Sequence, residues 1–186
     1  ERAMRVALWI RAVFALNFAE MPCVAVAVKH GNACGAGVAT DPATAIVRMI
    51  EGHPRAMFGA SVVTTFPIDA PIAARLRTHW RREVTIPRIV AGVAAPAFSK
   101  EARFILKRES RPTVLMRNAA LADLGPEHIP REKVYTHLPI LGASVVEEPD
   151  VFILNLADER IHTEDRYGNA FTPQVMRDIA LAWAVC

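Results

Sequence analysis

The chain predicts an α/β fold in three layers, with helices on both faces of a mostly parallel sheet. Three observations carry this. Val24-Ala25-Val26-Ala27-Val28 is an uninterrupted apolar run that reads as a buried strand. Asp41-Pro42 and Asp69-Ala70-Pro71 repeat one helix-start chemistry, an acidic N-cap followed by proline in the first turn. Strand-like and helix-like segments alternate strictly through the first two thirds of the chain, which is the pattern of strands separated by crossover helices.

In order, residues 3–19 carry Trp9, Val13, Phe14 and Leu16 at mixed helical spacing and predict a helix ended by Met21-Pro22. Val24–Val28 is the first strand. Thr40-Asp41-Pro42 opens a helix that stops at Gly52-His53-Pro54. Met57–Thr65 is the next strand and Ile72–Trp80 the next helix. Arg88–Ala94 is a strand, Ser99 caps a helix through Lys107 with Glu101 in its first turn, and Thr113–Met116 is a further strand. Residues 118–139 read as loop. Ile140–Glu147 and Phe152–Leu156 read as strands, and Thr172-Pro173 opens a last helix through Ala184.

Composition sets the class. At 186 residues the chain can bury roughly 70% of its unfolded surface and needs no disulfide or metal staple. With 52% hydrophobic and 22% charged residues it is globular. The net charge of +3, carried mostly by arginine, is compatible with an anionic small substrate and too weak and dispersed to indicate nucleic acid. Cys23, Cys34 and Cys186 show no pairing pattern, so reduced thiols and a cytoplasmic setting are expected. No apolar run approaches the ~20 residues of a membrane span, and Arg11 interrupts the N-terminal apolar patch, so neither a membrane segment nor a signal peptide is expected. The chain does not begin with methionine, and it is expected to be a piece of a longer protein.

The chemistry concentrates in Lys29-His30-Gly31-Asn32-Ala33-Cys34-Gly35. Adjacent lysine and histidine at the mouth of a strand suit chemistry better than packing. Histidine moves protons near neutral pH, while an ammonium beside it favours the neutral imidazole and stabilises developing negative charge. In an extended strand the two would face opposite ways. They can cooperate only if the backbone bends, which Gly31 permits. The alternative is a strand ending in solvent, with Asn32 and Gly35 making a turn. Cys34 reads as a small residue packing that turn. The chain has no Cys-x-x-Cys, so deaminase-type zinc is not expected. Gly31, Gly35 and Gly37 lack dinucleotide spacing. His53, His79, His128, His137 and His162 are scattered and read as surface residues.

Lys29, His30, Asn32, Cys34 and Gly35 resemble the Lys-His-x-Asn-Pro-Cys-Gly motif of the folate-dependent transformylases that formylate aminoimidazole carboxamide ribonucleotide in purine synthesis, with Ala33 in place of proline. Further along, Ala56-Met57-Phe58-Gly59-Ala60 stands where the family has Ser-Ala-Phe-Gly-Gly. Ile68-Asp69, Val90–Phe98, Glu101-Ala102, Ile105–Lys107 and the Asp178–Trp183 stretch are also similar, and Arg108 and Arg111 resemble the basic stretch that follows the Ala-Pro-x-Phe strand.

The resemblance implies a cytidine-deaminase-like α/β/α unit, with residues 1–120 as its core and residues 121–186 leading toward a second unit. It implies Lys29 and His30 as catalytic residues. Asn32, Phe58, Gly59 and Arg111 would bind substrate. 10-Formyl-tetrahydrofolate would be co-substrate, an imidazole nucleotide the acceptor, and no metal would be needed. The partner would be a second copy, a complementary chain or a further domain, since the family works as a dimer. The family's phosphate-holding and Ser-Asn segments are expected outside these residues. The other readings are a non-catalytic descendant that binds a ligand or a protein partner, suggested by alanine at positions 33, 56 and 60 and by the missing phosphate-holding and Ser-Asn segments, and a relative redirected to another formyl or acyl transfer.

Overall fold

Side-chain parity in the first apolar run decides the architecture. Val24 and Val26 face one way and Ala25 and Ala27 the other, and all four are fully buried, so this strand has a dry face on each side. The computed structural model describes residues 2–79, 88–107, 112–129, 134–138, 143–147 and 153–186, with the backbone alone described for 134–138 and 143–147.

Five strands form the main sheet: β1 (Cys23–Lys29), β2 (Asn32–Ala39), β3 (Ser61–Thr64), β4 (Gly92–Ala95) and β5 (Val114–Arg117), in spatial order β2-β1-β3-β4-β5. β1 pairs antiparallel with both β2 and β3, while β3, β4 and β5 pair in parallel. Four strands therefore run one way and β1 opposes them. Ala25, Ala27, Val62, Val93 and Ala95 pack against one helical layer, α2 (Pro42–Gly52), α3 (Ala70–Thr78) and α4 (Lys100–Leu106). Val24, Val26, Val38, Val63 and Ala94 pack against α1 (Arg2–Phe18) and α5 (Pro173–Val185). This is the three-layer α/β/α arrangement the sequence predicts.

The helix starts follow the expected chemistry. Asp41 accepts from Thr44 N at 2.9 Å, Asp69 from Ile72 N at 2.9 Å, Ser99 from Ala102 N at 3.0 Å and Thr172 from Val175 N at 3.3 Å. Each satisfies an N–H that the first helical turn leaves without a partner. Buried Arg88 serves the opposite end of α3, donating to Leu76 O (3.0 Å) and His79 O (2.7 Å). Buried Arg11 ties α1 to the segment after β5 by donating to Pro22 O, Ala122 O and Leu124 O. Much of the arginine excess near the core thus holds backbone carbonyls.

Several boundaries differ from the sequence reading. Asn32–Ala39 is a strand, so Asn32 and Gly35 do not make the turn that the alternative reading gives them. Its glycines are there because α2 crosses it closely: a Cβ at Gly37 would fall on the Ala45 carbonyl oxygen and within 2.6 Å of Met49 N. Residues 54–59 form a turn, so β3 starts at Ser61 and not Met57; likewise β4 starts at Gly92 and not Arg88. Within the stretch read as loop, β6 (Val134–Leu138) pairs antiparallel with β7 (Ala143–Glu147). Ile153–Asn155 carry no ladder; instead Asn17 clamps them, donating to Leu154 O and accepting from Leu156 N, which buries Leu154 and Leu156 against α1. Trp80, Ile140 and Phe152 lie outside the described residues.

Candidate active site

Lys29 and Asn32 are the last residues of their strands to face each other, so only His30 and Gly31 remain to turn the chain. Both have positive φ, 53° and 83°, the signature of a type I′ hairpin turn, whose twist matches that of the flanking strands. Glycine adopts this region without strain, and histidine enters it more readily than most side chains. The bend that lysine and histidine need in order to cooperate therefore exists, and it falls at His30 itself. Parity puts the half-buried Lys29 on the face of Ala25 and Ala27 at the edge of the sheet, while His30 is exposed at the tip. Among the described residues neither side chain makes a hydrogen bond.

Two pairs back along the same ladder the register slips: Ala27 faces Gly35 and Val28 faces Ala33, which leaves Cys34 as an extra, bulged residue. The bulge lets Cys34 and Gly35, adjacent in sequence, both meet the α2 face. Cys34 is half-buried, and burial pushes its thiol up while the Lys29 ammonium pulls against that. The net rise keeps it a thiol at neutral pH, in line with packing and not nucleophilic chemistry.

The second motif segment sits in the turn that follows α2. Ala56 N and Met57 N donate to His53 O, Phe58 N to Arg55 O, and Gly59, at φ 77°, donates its N–H to Ile89 O at 2.8 Å. Phe58 is 48% exposed, high for a phenylalanine with no burial role. Val28 pairs with Ser61, so the Lys29–His30 hairpin and the Phe58–Gly59 turn lie at the same edge of the sheet, where β3, β4 and β5 begin. Five of the six expected site residues thus come from two loops at one sheet edge. Arg111, with Arg108, lies outside the described residues.

Two contacts in this region escape the sequence reading. His53 Nδ1 accepts from Ala56 N at 3.1 Å, and Cys34 Sγ lies 4.0 Å from Ala56 O as its donor. The first has a legible signal: a polar side chain three residues before the N–H it accepts from is the spacing of the Asp41, Asp69 and Ser99 caps. A cavity of about 480 Å³ lies at the far end of β2, between Phe14, Thr40, Arg48, Arg177 and Leu181, and none of the expected site residues lines it. Among the described residues no cluster of three or more His, Cys, Asp or Glu is placed to hold a metal ion, and no helix is long and apolar enough to cross a membrane.

The pattern of the family described as AICARFT/IMPCHase bienzyme matches residues 6–186. The chain is 31% identical over 166 residues to the bifunctional purine biosynthesis protein PurH of Lysinibacillus sphaericus, covering 89% of this chain and 28% of that protein. It is 31% identical over 160 residues to the PurH of Bacillus cytotoxicus, covering 86% of this chain and 27% of that protein. The chain therefore spans under a third of the length of these relatives. Among solved structures it is similar to Acinetobacter baumannii RibD, at 17% identity and a TM-score of 0.39 over 66% of this chain and 36% of that one.

Proposed function

Because this chain belongs to the AICARFT/IMPCHase bienzyme family, we propose that it forms part of a formyltransferase acting in purine biosynthesis, moving a formyl group from 10-formyl-tetrahydrofolate to the amine of an imidazole nucleotide. The observation that supports this reading most is the β1–β2 hairpin. It sets an ammonium at the end of a strand and an imidazole in the turn beside it, at the edge that also carries the exposed Phe58 and the left-handed Gly59.

The chemistry needs little more. The acceptor amine attacks the formyl carbon, forming a C–N bond and placing negative charge on the formyl oxygen. Neutral His30 takes the proton the amine must lose. Lys29 stabilises the oxyanion. Collapse breaks the bond between the formyl carbon and the folate nitrogen, and His30 returns the proton to that nitrogen. Asn32 orients the formyl oxygen or the substrate amide, Phe58 and Gly59 border the ring, and Arg111 meets the nucleotide's negative charge. The three cysteines, none of them in a disulfide, suit a reducing, cytoplasmic setting. The site is completed by the rest of the polypeptide, by a complementary chain or by a second copy.

The test is formyl transfer by the full-length protein. Turnover of the imidazole nucleotide with 10-formyl-tetrahydrofolate is expected, and its absence with both substrates bound would refute the reading. A non-catalytic binding module is the second reading, favoured by Ala33, Ala56 and Ala60 where the family has proline, serine and glycine. Calorimetry separates the two: tight binding of both nucleotide and folate counts against the module.

A further inference from the structure

We propose that His53 and Cys34 are positioning residues that hold the backbone N–H and carbonyl of Ala56 and so fix the turn that presents Phe58 and Gly59. The inference rests on the functional reading above for its catalytic consequence, though not for its structural one. Ala56 N donates to His53 Nδ1 at 3.1 Å, as well as to the His53 carbonyl at 3.0 Å. The same residue's carbonyl oxygen faces the Cys34 thiol at 4.0 Å. His53 stands at the C-terminal end of α2, and Cys34 is the bulged residue of β2. The two anchors therefore come from different elements, and both of these elements pack on the sheet face of Ala25 and Ala27.

The geometry explains what each anchor supplies. Backbone hydrogen bonds from Met57, Phe58 and Gly59 and the buried Met57 side chain also hold the turn; the two side-chain anchors add to these at Ala56, while Phe58 is half in solvent. Fixing Ala56 narrows further the conformations left to the exposed Phe58 that follows it. Because Cys34 lies five residues after Lys29 on the same hairpin, its thiol also couples the turn to the strand that carries the lysine. The bulge is what makes this possible, since in a regular ladder Cys34 and Gly35 could not both face α2.

His53 acts here as a cap acceptor, at the same three-residue spacing as Asp41, Asp69 and Ser99. Asparagine at this position can make the same bond, and alanine cannot. At position 34 only sulfur reaches the carbonyl, since a serine hydroxyl on its shorter Cβ–O bond would fall further from an acceptor already 4.0 Å away.

The experiment uses the full-length protein and two readouts. Amide hydrogen exchange across residues 54–60 is expected to quicken roughly two- to tenfold in His53→Ala and in Cys34→Ala, and to return toward the wild-type rate in His53→Asn. In formyl transfer the alanine variants are expected to raise KM by a similar factor with kcat within about twofold, because they loosen a substrate-facing turn and leave His30 in place. Exchange at residues 54–60 that is unchanged in both alanine variants and in their double variant would overturn the clamp. If exchange responds but the wild-type protein transfers no formyl group, the clamp stands and the functional reading falls.

Discussion

At the scale of single residues, the account turns on where the chain bends. His30 and Gly31 supply the two positive φ values of the hairpin, and only glycine does so without strain. Gly31→Ala should therefore destabilise the protein by about 1 kcal/mol in a denaturant titration although no atom would obstruct the new methyl group. The Lys29 ammonium has a measurable effect of its own. It opposes the burial that raises the Cys34 thiol. In Lys29→Met that opposition is lost, so the pH profile of Cys34 alkylation should move to higher pH; a shift to lower pH would contradict the placement of Lys29. Lysine, histidine and asparagine were legible as a cluster because such residues have little reason to follow a core strand. The turn type is not legible, since His-Gly is a rarer hairpin pair than Asn-Gly.

At the scale of elements, β2 shows how glycine misleads. Gly35 and Gly37 have low strand preference, yet they stand in a strand because α2 lies against their backbone. The pairing partner was present in the sequence all along, as Ala36 and Val38 opposite Val26 and Val24. Gly37→Ala should cost about 3 kcal/mol or more, since its Cβ would meet backbone atoms of α2 that cannot rotate away. Position 33 behaves oppositely. It lies one step from the two-residue loop, in a non-hydrogen-bonded pair on the outer edge of the sheet, so its N–H is not needed for the β1 ladder. Ala33→Pro is expected to leave the melting temperature unchanged or higher, and a drop of several degrees would show that the edge N–H has another partner. The helices α2, α4 and α5 are legible almost to the residue because their caps are local chemistry, whereas α3 begins at Ala70, two residues before the expected Ile72. Strand ends were less so, because a ladder is decided by a neighbour distant in sequence.

At the scale of the whole molecule, the sheet is closed from the second side by α1 and α5, and their joint is partly electrostatic. Arg177 donates to both carboxylate oxygens of Glu20 at 2.7 Å and stacks over Phe18. This hydrogen bonding holds the Glu20 carboxyl below the usual glutamate range. A carboxyl with a lowered folded value contributes stability above its unfolded value and loses that contribution as pH falls through the folded one. A double-mutant cycle with Glu20→Gln and Arg177→Gln should give a coupling of no more than about 1 kcal/mol at neutral pH, because both groups are partly in solvent, and none at strongly acid pH. Coupling that grows on acidification would reverse the argument. The layered α/β class followed from alternation alone, but the packing of residues 153–186 on α1 did not: it depends on Asn17 and Arg177 reaching across more than a hundred residues of sequence.

The central claim is that the His30 imidazole moves the proton in formyl transfer from its place in a type I′ turn. His30→Asn tests it most directly, because Asn-Gly suits that turn at least as well as His-Gly and removes only the imidazole. In the full-length protein the variant is expected to melt at or above the wild-type temperature, to bind the imidazole nucleotide as before, and to transfer formyl groups at least about a hundredfold more slowly. Turnover near the wild-type rate in a fully folded His30→Asn protein would contradict the account.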